Sequence, residues 1–299
     1  MKKNILICGI FVILIILVIV FCVIAGQEVQ SNKTKVVTSF YPMYIATLNL
    51  VDGIDEIELQ NLISNSAGCV HDYTLTPQEM MNLSHAKALV INGSGMEGFL
   101  NDVISNYSEL TVIDTSIGVR AIDEENHGVN PHTFVSIDNY IVQVQNIFNG
   151  LVKLFPEYTQ KLTANKDKYI SELNDLKAYG ITQFKNLEDT NIVAINETFE
   201  YFAEDFGLNV IAVIEEEEGV AASATDVAKI IKDIKSQNVR VIITESDSAT
   251  NTADTIARET NTKLIEFNPA LTGGNDKDAY INAYRENIDK IANALNGGD

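Results

Sequence analysis

The sequence has 299 residues, of which 41 are Asp or Glu and 21 are Lys or Arg, so its formal net charge at pH 7 is −20. Such an acidic surface repels the phosphates of DNA and RNA and attracts cations, so we expect no nucleic-acid partner. Cys8 and Cys22 lie in an apolar N-terminal stretch, which leaves Cys69 alone in the rest of the chain and excludes an intrachain disulfide there.

The N-terminal stretch indicates export. A short basic start is followed by an uncharged apolar run from Ile5 to Ala25, a pattern that enters a membrane. Two fates are open, cleavage after Ala25 or retention as an anchor; lipidation at Cys22 is a third, which the bulky Phe21 before it fits poorly. We therefore interpret residues 1–34 as a signal or anchor segment with a polar linker. The rest of the chain is expected at the outer face of the cytoplasmic membrane.

Beyond the linker, short apolar strands alternate with amphipathic helices. Strands are predicted at 35–40, 57–63, 87–92 and 110–116, and helices at 43–51, 76–86, 96–106 and 136–155. The pattern then repeats, with strands at 192–196, 208–214, 239–245 and 263–268 and helices at 198–206, 223–237, 249–260 and 276–295. This alternation predicts an α/β fold with two lobes, each a four-stranded parallel sheet with helices on both faces.

One long helix is predicted between the two sets of strands. In residues 156–187, apolar residues recur at helical spacing and the positions between them are mostly polar; the apolar set is Leu162, Tyr169, Leu173, Leu176 and Phe184. At ~1.5 Å per residue such a helix spans roughly 45 Å, long enough to run along two lobes. Gly180 is expected to weaken its last turns by about 1 kcal/mol relative to Ala. We therefore predict an N-terminal lobe at 35–155, a linking helix at 156–187 and a C-terminal lobe at 188–299.

Several side chains that can bind a metal follow predicted strands, where ligands gather in parallel sheets. They are His71, His132, Asn196, Glu197, Glu245 and Asn268. Two histidines with oxygen donors nearby suit zinc, and manganese if carboxylates join. A single histidine is more often a surface or capping residue than a ligand. That bland interpretation fits His85, at the end of a helix, and His127, in an acidic loop.

A glycine-rich motif offers a rival interpretation. Residues 93–98, GSGMEG, follow a strand and open a helix, and the next strand ends near Asp114, which formally matches a dinucleotide-binding fingerprint. Export would separate the chain from nicotinamide cofactors, and Glu97 would bring a carboxylate to the place of the pyrophosphate. We therefore interpret the motif as a tight strand-to-helix turn whose glycines permit close packing.

Five segments carry a family resemblance. They are VVTSFYPMYIATLNLVDG (36–53), GCVHDYTLTPQEMMNLSHAKALVINGSGMEGFL (68–100), NPHTFVSIDNYIVQVQNI (130–147), NETFEYFAEDFGLNVIAVIEEEEG (196–219) and TKLIEFNPALTG (262–273). In this order they resemble the zinc- and manganese-binding solute receptors of bacterial ABC transporters. The resemblance implies two α/β lobes joined by a rigid long helix, a metal ion buried between them, and delivery of that ion to a membrane permease.

Only two of the family's four metal-ligand positions carry a usual ligand in this sequence. His71 and His132 stand where the family has its first two metal ligands. The third position, usually His or Glu, is Asn196, and the fourth, usually Asp or Glu, is Asn268. Two neutral amides leave a divalent charge poorly compensated. Three outcomes remain open: weak metal binding, recruitment of Glu245 or Glu197, or a change of solute.

We rank three functions. The first is an extracytoplasmic solute-binding receptor, expected to act as a monomer, that captures a divalent ion, zinc more readily than manganese, and delivers it to an ABC permease. The second is a receptor or adhesin of the same fold with a degenerate metal site. The third, an exported metallohydrolase, needs an open coordination position and a general base, for which Glu197 or Glu245 would have to serve. The sequence shows no nucleophile with a base, so we expect the chain not to be an enzyme.

Overall fold

Four parallel strands form the N-terminal sheet. The computed structural model describes residues 33–65, 70, 73–124, 128–187, 189–214, 223–245 and 251–297. The N-terminal strands are β1 (Thr34–Thr38), β2 (Ile57–Asn61), β3 (Ala88–Ile91) and β4 (Thr111–Asp114), arranged in the order β2-β1-β3-β4. A two-stranded antiparallel ribbon follows, made of β5 (Asp123–Glu124) and β6 (Gly128–Val129), where the sequence predicted a loop.

The C-terminal sheet repeats this topology. Its parallel strands are β7 (Asn191–Ala194), β8 (Asn209–Val213), β9 (Val241–Glu245) and β10 (Lys263–Phe267), in the order β10-β9-β7-β8. In both sheets the second strand lies outside the first, and the third and fourth lie on the other side of it. The winding direction therefore reverses between β1 and β3 and between β7 and β9, and such switch points are where open α/β sheets bind ligands. The predicted fold class is confirmed.

Helices follow the strands nearly as predicted. In the N-terminal half they are α1 (Tyr41–Leu50), α2 (Pro77–Ser84), α3 (Asn101–Ile104) and α4 (Ile137–Leu154). After the long helix α5 (Thr159–Phe184) come α6 (Glu200–Phe206), α7 (Ala224–Ser236), α8 (Asn251–Thr260) and α9 (Ala279–Leu295). The helix predicted at 96–106 is a 3-10 turn, Gly98–Leu100, followed by the single turn α3, because the glycine turn before it delays regular helix. The N-termini of α4 and α7 are capped by the hydroxyls of Ser136 and Ser223.

The long helix α5 (Thr159–Phe184) begins after a 3-10 turn at Pro156–Tyr158 and lies between the lobes. All five apolar residues that predicted it are buried. It packs on α1 and α4 of the N-terminal lobe and on α6 and α9 of the C-terminal lobe. The helix continues through Gly180, where a Cβ atom would collide with the ring of Phe206. This glycine therefore lets α6 approach the long helix closely.

Both sheets and α5 share one hydrophobic core. At its centre the rings of Tyr140, Tyr280 and Tyr284 are stacked, with centroids 3.9 Å and 4.1 Å apart. The Tyr140 hydroxyl donates to the carbonyl of Pro42, and the Tyr280 hydroxyl to the carbonyl of Phe134. A second, aliphatic cluster, with Ile230 and Ile234 of α7 and Ile256 of α8, lies in the C-terminal lobe alone. The described residues from Thr34 onward consequently form one compact unit.

None of the helices in the described ranges is long and apolar enough to span a bilayer. The apolar run Ile5–Ala25, which carries the predicted signal or anchor, lies outside those ranges.

Candidate metal site between the lobes

Two of the predicted ligands meet at the switch point of the C-terminal sheet. Asn196 follows β7, Glu245 ends the adjacent strand β9, and both side chains are partly exposed. The Asn196 Nδ2 group donates a hydrogen bond of 2.8 Å to Glu245 Oε1. An amide binds metal through its oxygen, so this bond engages the end of Asn196 that is not a ligand.

His132 lies at the facing edge of the N-terminal lobe. It is 4% exposed and precedes a 3-10 turn at Thr133–Val135. Its Nδ1 atom is 3.0 Å from Asn130 Oδ1 and 3.6 Å from Glu197 Oε1. Glu197, which follows Asn196 in the other lobe, has about a third of its side chain exposed. Of the two carboxylates weighed from the sequence, Glu197 is therefore the one that the structure places beside His132.

Asn268 is exposed and has a local role. Its Oδ1 atom accepts a hydrogen bond of 2.9 Å from the backbone N–H of Ala270, which closes the turn after β10. Asn287 of α9 holds its backbone on both sides, accepting from the Asn268 N–H and donating to the Asn268 carbonyl. The turn therefore already uses the amide oxygen that a metal would need, and a ligand role for Asn268 stays a prediction.

His71 lies outside the described residues, so its convergence with His132 also stays a prediction. Among the residues that are described, no three His, Cys, Asp or Glu side chains come together in a group that could hold a metal ion. The residues that follow Glu245, 246–250, are likewise outside that range.

A buried carboxylate closes the switch point of the N-terminal sheet. Glu97 is 5% exposed and accepts hydrogen bonds from Ser39 Oγ at 2.7 Å and from the backbone N–H groups of Asn92 and Gly93 at 2.7 and 3.0 Å. Burial raises the pKa of Glu97 to about 7, Asp114 adds to the rise, and the three hydrogen bonds oppose it.

The glycine motif thus builds a turn that Glu97 itself fills. Gly93 has φ +76°, and a Cβ atom there would collide with the Asp114 carboxylate and the Ser116 side chain. Turn amides that would hold a phosphate already bind Glu97, which supports the interpretation of residues 93–98 as structural. Sequence reasoning missed the role of Glu97, although a glutamate inside a glycine-rich turn is a signal that could have suggested it.

Asn92 connects this buried turn to the His132 segment. Its Nδ2 group donates to the carbonyl of Pro131 at 2.9 Å, and its Oδ1 atom accepts from Gln143 Nε2 at 2.8 Å and Thr133 Oγ1 at 3.2 Å. These three side chains are fully buried. The position of His132 therefore depends on a buried polar network within its own lobe.

A polar cavity of about 230 Å³ lies beside the site. It is lined by Arg120, Ser136, Asp138, Asn139, Lys177, Tyr201, Glu204 and Asp205. Lys177 Nζ lies 2.8 Å from Asp205 and 2.9 Å from Asp138, and Asp205 also accepts from the Ile137 N–H at 2.6 Å. Burial raises the pKa of Asp205, and Lys177 opposes the rise. The charged side chains of this cavity are paired with one another, so we interpret the cavity as part of the contact between the lobes.

The sequence matches a known protein family over most of its length. The sequence model of the family described as ZnuA, zinc-uptake complex component A, periplasmic, matches residues 36–294. The chain belongs to this family. The high-affinity zinc uptake system protein ZnuA of Bacillus subtilis is 26% identical over 291 residues, which cover 90% of each chain. The manganese-binding lipoprotein MntA of Halalkalibacterium halodurans is 26% identical over 309 residues, which cover 99% of each chain.

Solved structures agree with this membership. The SBP FpvC of Pseudomonas aeruginosa in complex with Mn²⁺ superposes with a TM-score of 0.79 at 27% identity, covering 89% of this chain and 99% of that one. The resemblance predicted from the sequence is confirmed. Relatives named for zinc and for manganese are both present, so the family by itself does not choose the metal.

Proposed function

We propose that this chain is a receptor that captures a divalent metal ion between its two lobes, outside the cytoplasmic membrane, and delivers it to an ABC permease. The observation that carries the proposal is the approach of His132 and Glu197 across the lobes, to 3.6 Å, beside the Asn196–Glu245 pair at a sheet switch point. The zinc-uptake family to which the chain belongs supports the same function.

The donors suit zinc or manganese. His132 offers an imidazole, and we expect a second one from His71. Glu245 is the proposed carboxylate ligand, and Glu197 places a further negative charge beside His132. Together the two carboxylates neutralise a divalent charge that Asn196 and Asn268 alone would leave uncompensated. Two imidazoles favour zinc, our first choice, whereas carboxylate oxygens keep manganese as the alternative.

Export and anchoring are part of the proposal. The family is described as periplasmic, and the relative MntA is named a lipoprotein. An apolar run at Ile5–Ala25 fits a segment that directs the chain to the membrane. Fractionation of cells that express the full chain, with mass determination of the mature protein, distinguishes cleavage, lipidation and retention.

The decisive experiment measures metal affinity. The full chain, purified in detergent and stripped of metal, is titrated with Zn²⁺ and with Mn²⁺ against a chromophoric chelator. We expect His132→Ala and Glu245→Gln each to weaken zinc binding by at least about a hundredfold, or about 2.7 kcal/mol. Glu204→Gln is the matched control, since Glu204 lies in the same lobe and pairs with Arg120 at 3.1 Å.

Two results would contradict the proposal. If the unaltered chain bound neither metal, capture of either ion would be excluded. If both substitutions left the affinity unchanged while Glu204→Gln also did, any binding would lie at another place on the molecule.

A further inference from the structure

We propose that Asn130 is a positioning residue for metal capture, which fixes the His132 ring in the tautomer that turns the Nε2 lone pair toward the ion. This inference rests on the proposed function, because it assigns a role within the same site. Asn130 is not a candidate ligand.

Asn130 is fully buried and contacts both lobes. Its Oδ1 atom lies 3.1 Å from the backbone nitrogen of His132 and 3.0 Å from His132 Nδ1. Its Nδ2 group donates to the backbone carbonyl of Glu197 at 3.0 Å. Its own carbonyl accepts from the hydroxyl of Tyr201 at 2.7 Å. One side chain thus contacts the histidine and the glutamate that approach each other across the lobes.

The chemistry of two partners fixes which way this amide points. The backbone N–H of His132 can only donate, so the atom facing it must be the amide oxygen. The Glu197 carbonyl can only accept, so the atom facing it must be the amide nitrogen. Both requirements are met by one orientation of Asn130 and violated by the other. The amide orientation therefore follows from obligate donors and acceptors on two different segments.

The fixed amide in turn fixes the imidazole. An amide oxygen accepts hydrogen bonds and does not donate, so the ring nitrogen that faces Asn130 Oδ1 must carry a proton. The carboxylate oxygen of Glu197, 3.6 Å from the same Nδ1 atom, favours the same arrangement. In a neutral ring the other nitrogen, Nε2, then holds the lone pair that a metal ion binds. This is the outer-shell arrangement that orients histidine ligands in metal sites.

The tautomer can be measured directly. Long-range ¹H–¹⁵N spectra of the metal-free full chain, recorded where the ring is neutral, distinguish Nδ1–H from Nε2–H, and His132→Gln identifies the His132 signals. We expect the Nδ1–H tautomer in the unaltered protein. A predominant Nε2–H tautomer would overturn the inference, and this test needs no variant at position 130.

Two substitutions separate the ring contact from the contact between lobes. Asn130→Ala removes both, so we expect a mixture of tautomers and a loss of zinc affinity of about 10- to 100-fold. Asn130→Asp keeps an acceptor facing Nδ1 but loses the donor to Glu197, so we expect the Nδ1–H tautomer and most of the affinity to be retained. Equal losses in the two variants would show that the lobe contact matters and not the ring, which contradicts the proposal.

Asn139→Ala is the matched control. Asn139 is also a buried asparagine of the N-terminal lobe, and it makes two 2.8 Å hydrogen bonds with the backbone of Arg120, away from His132. We expect unchanged zinc affinity; a loss as large as that of Asn130→Ala would reveal general weakening of the lobe and overturn the assignment. If the unaltered chain bound no metal, the proposed function would fail, while the tautomer measurement would still decide the role of Asn130.

Discussion

The two sheets have the same topology, and a glutamate lies at the switch point of each, but the two carboxylates have different surroundings. Glu97 in the N-terminal lobe is buried and receives three hydrogen bonds from its own turn and from Ser39. Glu245 in the C-terminal lobe is partly exposed and receives one from Asn196. Glu97 therefore stabilises a loop in one lobe, whereas Glu245 is the proposed metal ligand in the other. The two glutamates differ in burial and in hydrogen bonding, although they are the same residue type.

We expect the largest difference between the two lobes in how much stability is lost when an asparagine after a strand, Asn92 or Asn196, is replaced by alanine. Asn92→Ala removes the buried hydrogen bonds that Asn92 makes with the Pro131 carbonyl, Gln143 Nε2 and Thr133 Oγ1, and we expect a loss of about 3 kcal/mol in the free energy of unfolding. Asn196→Ala removes one partly exposed hydrogen bond and should cost less than about 1 kcal/mol. Urea unfolding of the metal-free chain measures both. Similar losses would show that the stability of the protein depends equally on Asn92 and Asn196.

The burial of Glu97 should make the stability of the protein depend on pH. Its pKa is raised from 4.5 to about 7 in the folded protein, so the native state holds a proton that the unfolded state has released between these pH values. Stability from this group is therefore present below pH 4.5 and is lost as the pH rises toward 7, by at most about 3 kcal/mol.

Glu97→Gln removes this titration. The stability of the unaltered protein minus that of Glu97→Gln should fall as the pH is raised from about 4.5 to 7, and then level off. Unfolding experiments at several pH values measure the difference, in which the other titrating groups cancel. A difference that stays constant over this range would mean that Glu97 is not held protonated by burial.

The smallest expected effect distinguishes two glycines of the same turn. Gly93 and Gly95 both have positive φ, so alanine strains the backbone at either, by about 1 kcal/mol. At Gly93 the added methyl group also meets the Asp114 and Ser116 side chains, whereas at Gly95 it meets open space. We expect Gly93→Ala to cost about 1–2 kcal/mol more than Gly95→Ala in thermal unfolding. Equal costs would indicate that the turn relaxes easily around Asp114.

Local patterns predicted the elements well because each strand and helix carries its own signal. The stripe from Leu162 to Phe184 is buried along α5, and the strand predicted at 263–268 differs from β10 by one residue. The weaker predictions concern contacts between segments distant in sequence. Nothing in the periodicity indicates that Phe206 occupies the space left by Gly180.

For the candidate site, the sequence likewise predicted individual residues but not the contacts between them. Strand ends indicated His132, Asn196 and Glu245, and the structure brings the last two together. The choice of Glu197 as the neighbour of His132 could not be made from the sequence, because it depends on how the lobes pack. Asn130 was missed for a similar reason: its importance comes from partners in two lobes, and an asparagine before a proline is otherwise typical of a turn.

The stacked rings of Tyr140, Tyr280 and Tyr284 limit how this protein can be re-engineered. Tyr140 belongs to α4 and the other two to α9, so each lobe contributes one helix to the stack. A chimaera that takes one lobe from a relative therefore combines the two sides of the aromatic stack from different proteins. Fragments cut within α5 would each expose an apolar aromatic surface and are expected to aggregate. Recombination within this family should accordingly succeed by exchanging loops at the sheet edges, and fail by exchanging whole lobes.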